Sequence, residues 1–168
     1  PTLKAARGAR TAARGAAVRA LVQIERNGWR PDSVIEEFLS HRFGTTVSGG
    51  SYEDGRSPEA DVALCTSSVK GAVSDRSAIE QDIIKTLPST WPIDRLDPVL
   101  RALFFAAIAE ARHAEVPAAV LINEYMDVAH GFFFGDEPRL VNGVLDALFK
   151  NPTPVKDHDS TTGTPTEE

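Results

Sequence analysis

Three arginines near the start of the chain, Arg7, Arg10 and Arg14, have the type and spacing that most plainly suggest chemistry. On a helix they fall within about 60° of one another. Guanidinium forks match phosphate oxygens, and the small Ala and Gly residues between them let a nucleic-acid backbone come close. Residues 1–30 hold Lys4, Arg7, Arg10, Arg14, Arg19, Arg26 and Arg30 against the single acid Glu25, on a chain whose net charge is −6. A basic end on an acidic protein points to a local anionic partner, not to a protein that coats nucleic acid. A solvated basic terminus without a partner is the bland alternative.

Other chemistry is sparse. Glu110 and Glu124 would meet across two packed helices as an acid/base pair, but a helical carboxylate more often pairs with an arginine or accepts from a cap. His41, His113, His130 and His158 are scattered without metal-ligand spacing, so no metal site is expected. No glycine-rich phosphate loop and no nucleophile elbow occur. Cys65 is the one cysteine, reads as a small buried hydrophobe, and suits a reducing cytosol. The apolar run 102–109 is far short of the roughly 20 residues a membrane span needs, and no secretory signal is visible. Neither an enzyme nor a cofactor is expected.

The elements that must position these residues read as helices throughout. Residues 1–10 look like a flexible basic arm, 11–150 like a helical domain and 151–168 like a disordered tail. From Thr11 an apolar stripe forms (Ala17, Val18, Leu21, Val22, Ile24), and Gly28 stops that helix. A helix entering the core at Ala17 would hold its arginine-bearing start clear of the body. Val34 to Leu39 gives a short helix, and 44–58 is loop by composition. Further helices are expected at 59–74, 78–87 and 95–114, the last apolar round most of its circumference and central to a second bundle. The stretch Val116–Leu148 reads as two helices joined at a Gly131–Pro138 corner. Asn123, Glu124 and Asn142 look like buried polar groups that satisfy helix ends there.

That last stretch carries a resemblance. P-A-A-V-L-I-N-E-Y-M-D-V-A-H followed by R-L-V-N-G-V-L-D, with A-R-G-A-A-V-R-A-L-V near the start, resembles the NusB family of bacterial transcription antitermination factors. The W-P-I-D-R-L-D-P-V-L-R-A segment and the G-D-E-P corner are similar to α-proteobacterial members. The resemblance implies an all-α fold of two three-helix bundles, about seven helices in all. It implies no catalysis. NusE, a ribosomal small-subunit protein, is the implied partner, and the pair would bind single-stranded boxA RNA of rRNA-operon transcripts. Together they would help assemble the antitermination complex on RNA polymerase. By motif match, Arg10 and Arg14, with Arg7 beside them, belong to the RNA-binding start, and Asp136, Arg139 and Asn142 adjoin the same RNA surface. A carboxylate at Asp136 also suits a helix cap, and it would repel phosphate.

Four positions depart from the family pattern. Val22 stands where a tyrosine is usual, Leu100 where an acid is usual, Phe105 where an arginine is usual, and Leu140 where a phenylalanine is common. The acid position contributes to the NusE-facing surface, so Leu100, Arg101 and Phe105 are the expected partner interface. An exposed Leu100–Phe105 pair would favour self-association and leaves a homodimer open; a buried pair would mean a more apolar core. The rival reading is a diverged helical interaction module, self-associating and without boxA recognition.

Overall fold

The computed structural model describes residues 2–30 and 58–150, with side chains described from Arg10 to Arg30 and from Val62 to Lys150. The short helix expected at Val34–Leu39, nearly all of the 44–58 loop and the 151–168 tail lie outside the described residues. Within them the chain forms six α-helices and one short 3-10 turn, and no strand. The helices are α1 (Thr2–Arg26), α2 (Pro58–Ser74), α3 (Arg76–Thr86), α4 (Pro98–His113), α5 (Ala118–Phe132) and α6 (Glu137–Lys150), with the 3-10 turn at Ile93–Arg95. None of these helices is long and apolar enough to cross a membrane.

Local chemistry explains the boundaries. At the end of α1, the Gly28 N–H donates to the Glu25 carbonyl (3.2 Å) and the Trp29 N–H to the Ile24 carbonyl (2.7 Å). This is the paired closure that a left-handed residue permits after a helix, and Gly28 supplies it at φ +70°. Trp29 is also left-handed, at φ +65°. A non-glycine residue stays there only when its surroundings hold it. Its ring lies 5.3 Å from that of Phe105, and the Arg76 guanidinium sits 4.2 Å from its centroid. Asp97 caps α4 by accepting from the Val99 N–H at 2.8 Å, with Pro98 at the first helical position.

The hub is α4. Of its residues 100–110 all but Arg101 are buried, and it packs against each of the other five helices. The expectation placed it in one bundle; the structure shares it between two. On one flank α1, α2 and α4 pack on one another, and on the other α3, α5 and α6 close around it, with α6 against both α3 and α5. An apolar circumference needs cover on every side, which is why α4 lies in the middle. At Gly71, where α2 passes α4, an added Cβ would come within 2.7 Å of the His113 ring, which would have to shift.

Candidate nucleic-acid interface

The basic segment 2–10 is the first stretch of α1. Arg10 is exposed, and the helix enters the body at Ala13, 2% exposed, a turn before the Ala17 expected for it. The Arg7 side chain lies outside the described ones. Arg14 is the correction. Expected on the outward basic face, it is only 5% exposed and stands at the centre of an ion cluster. Its Nε donates to both Glu110 oxygens (3.0 and 3.2 Å), its Nη2 to Glu110 Oε1 (2.6 Å) and its Nη1 to Glu124 Oε2 (3.1 Å). The guanidinium also lies 5.8 Å from the Tyr125 ring centroid. Every nitrogen of the fork is engaged by a carboxylate, so no face of it is left for phosphate.

The electrostatics follow from that geometry. Burial alone would push the Arg14 pKa down, and the hydrogen bond and charge of Glu110, with Tyr125 and Glu124 beside it, more than offset it. Arg14 therefore stays cationic. Tyr125 is fully buried, and burial followed by the negative charge of Glu110 holds its hydroxyl well above the usual phenol range. That hydroxyl has no hydrogen-bond partner among the described residues. Glu110 and Glu124 thus do meet across α4 and α5, but as the two counter-ions of one arginine rather than as an acid/base pair.

The corner between α5 and α6 differs from its expectation too. Glu124 is buried, whereas Asn123 and Asn142 are exposed, so neither asparagine satisfies a buried helix end. Asp136, Arg139 and Asn142 all face outward on the corner and the start of α6. The Asp136 main-chain carbonyl accepts from the Arg139 and Leu140 N–H groups at 3.1 and 3.3 Å, which begins α6. Glu137 reaches back to accept from the Gly135 N–H at 3.1 Å and pins the turn. Asp136 and Arg139 line a cleft of about 490 Å³ with Trp91 and Pro88.

A second cleft, of about 280 Å³, separates the exposed start of α1 from the end of α5. It is lined by Thr11, Ala12, Gly15 and Arg19 on one side and by Asp127, Val128, Gly131 and Phe132 on the other. The Arg19 guanidinium lies 5.1 Å from the Phe132 ring centroid. Sequence reasoning passed over Arg19 and the Phe132–Phe134 run. The signal was there in three consecutive aromatics at a corner: Phe132 and Phe133 pack half-buried against the core, and Phe134 is left exposed.

The expected partner interface is corrected as well. Leu100 and Phe105 are buried, Phe105 beneath Trp29, so they form no exposed patch. Their departures from the family pattern enlarge the core. Only Arg101 of the three reaches the surface, half-buried, with its Nη2 on Glu25 at 2.5 Å and its Nη1 on the Ile93 carbonyl at 3.3 Å. With Trp29, Arg76 and Glu80 these residues line a small charged cleft of about 180 Å³. Leu140 is buried and Val22 half-buried. Among the described residues no three His, Cys, Asp or Glu side chains gather as metal ligands.

Comparison with known proteins decides which family this arrangement belongs to. The NusB family model matches residues 11–150. This chain belongs to the NusB family. It is similar to the transcription antitermination protein NusB of Granulibacter bethesdensis, at 47% identity over 86% of this chain and 90% of that protein. It is 46% identical to NusB of Gluconobacter oxydans, over 88% and 91% of the two chains. The NusB structure from T. maritima superposes with a TM-score of 0.65 at 25% identity, covering 84% of this chain and 91% of that one. A structure of NusB and NusE in complex with double-stranded RNA shares the fold, with a TM-score of 0.63 at 24% identity. The all-α NusB fold read from the motifs is therefore the fold of this chain.

Proposed function

We propose that this chain is a non-catalytic transcription antitermination factor of the cytoplasm that, with NusE, binds boxA RNA of rRNA-operon transcripts and helps assemble the antitermination complex on RNA polymerase. The observation that carries this reading is the identity of nearly half with curated NusB proteins along almost their whole length. Arg10, exposed near the start of α1, supports it by offering forked donors to a phosphate backbone, and Arg7 stands three residues earlier in the sequence. Arg139 and Asn142, exposed at the start of α6, supply a cation and an amide where the strand would continue, and Asp136 would accept from base amino groups. Arg14 acts behind this surface by holding α1 in place.

The rival, a diverged helical interaction module without boxA recognition, is motivated by the changes at Val22, Leu100 and Phe105; Leu100 and Phe105 are buried, which removes the exposed pair that would favour self-association. Fluorescence anisotropy of boxA RNA against a scrambled RNA, with and without NusE, tests the proposal. Preference for boxA that strengthens with NusE is expected. Equal affinities for both RNAs, indifferent to NusE, would sink it.

A further inference from the structure

Phe134 is 97% exposed, about twice the exposure of the next large apolar side chains among the described residues, Ile84 and Val120 at 45% each. Its place is a pinned turn. The Phe133 N–H closes α5 on the Ala129 carbonyl at 2.9 Å, and the Gly135 N–H is held by Glu137 at 3.1 Å. An aromatic ring so exposed on a pinned turn adds nothing to the core and presents its faces to a partner.

The surroundings say what kind of partner suits it. One residue, Phe133, separates Phe134 from Phe132, so their Cα atoms lie within about 7 Å of each other. Phe132 forms one wall of the cleft between α1 and α5, with Arg19 against its ring. Gly15 and Gly131 also line that cleft, and a Cβ added at either would meet no atom within 4 Å. Neither glycine is needed for close helix packing; both leave the cleft open. Beyond Gly15 toward the N-terminus runs the basic start of α1, with Arg10 exposed and no acid before Glu25. An open slot, an exposed aromatic and the exposed Arg10 on the adjoining helix suit an unpaired nucleotide. Aromatic faces hold bases, and guanidinium groups hold the backbone.

We infer that Phe134 is a base-stacking platform: one unpaired base of the bound RNA stacks on its ring, two positions along the chain from the cleft wall at Phe132, while the flanking phosphates lie toward Arg10 on α1. The inference rests on the RNA-binding reading above and adds a contact that no charge on the surface provides. Base stacking tolerates any base, so Phe134 contributes affinity and register rather than sequence choice.

Anisotropy with fluorescein-labelled boxA RNA tests it, comparing the unaltered protein with Phe134→Ala and Phe134→Trp. Loss of the ring should weaken binding by roughly ten-fold or more, with the salt dependence unchanged because no phosphate contact is lost. Phe134→Trp should bind like the unaltered protein. A set of RNAs, each with one abasic nucleotide, should contain one member on which the unaltered protein and Phe134→Ala bind equally, since the stacked base is gone. If Phe134→Ala binds every RNA as the unaltered protein does, the platform is wrong and RNA binding stands. If the unaltered protein binds no RNA with or without NusE, both readings fall. If sedimentation shows a dimer that Phe134→Ala dissociates while RNA affinity holds, the ring serves a second copy of the chain, and the inference is overturned.

Discussion

Arg10 and Arg14 stand four residues apart on one helix, yet they belong to opposite regions of the molecule. Arg10 is exposed on the overhanging start of α1, while Arg14 is sealed beneath it with Glu110 and Glu124. Residue type and spacing are the same for both; what differs is whether the body of the protein presents counter-charges at that height. The exposed arginine keeps its water and is available to a polyanion. The buried one has exchanged water for two carboxylates, and in doing so joins α1 to α4 and α5. One helix therefore carries both a binding group and the anchor that holds it.

Substitutions should separate the two regions by the size and kind of their effect. Arg14→Ala leaves two buried carboxylates without their cation, a change that typically costs about 3–5 kcal/mol. Thermal or urea denaturation should show it as the largest single loss, and an unchanged melting temperature would break the comparison outright. Arg14→Ala combined with Glu110→Ala should cost less than the two single losses added together. The coupling should be about 0.5–3 kcal/mol in a double-mutant cycle, and strict additivity would mean that the contact does not form. Arg10→Ala should change stability by no more than about 0.5 kcal/mol. It should make the log–log salt dependence of RNA binding shallower by roughly 0.7, the share of one phosphate on a single strand. An Arg10→Ala variant with an unaltered salt slope would remove that residue from the contact surface.

How much of this was legible in the chain depends on the range of the signal. Helices α2 and α3 were placed within a residue or two by apolar spacing and by Pro88, and Gly28 marked the end of α1, because these are local effects. The burial of Arg14 was not local. Its partners lie 96 and 110 residues along the chain, and three amino acids of ordinary helical type give no sign of their meeting. Asn123 and Asn142 erred in the other direction. Polar residues amid apolar ones looked enclosed, but each stands on the outward side of its helix, where a polar residue belongs. Leu100 and Phe105 gave two readings of equal standing, patch or core. Only the position of Trp29, set by two consecutive left-handed residues, shows that Phe105 lies beneath a roof. The exposed Phe134 was written plainly in a run of three phenylalanines, and the lack of any apolar stripe around it was the unread part.

The ion cluster at Arg14 has one more consequence. A helix with a smooth stripe of Ala, Val and Leu turns easily about its own axis, since neighbouring rotations bury similar area. Any rotation of α1 away from the observed one would draw the guanidinium out of reach of Glu110 and Glu124, leaving three charges bare in a dry interior. The cluster therefore indexes the azimuth of α1. Because Arg10 lies one turn up the helix, about 6 Å along and 40° around, the same three side chains also set the direction in which the exposed arginine points.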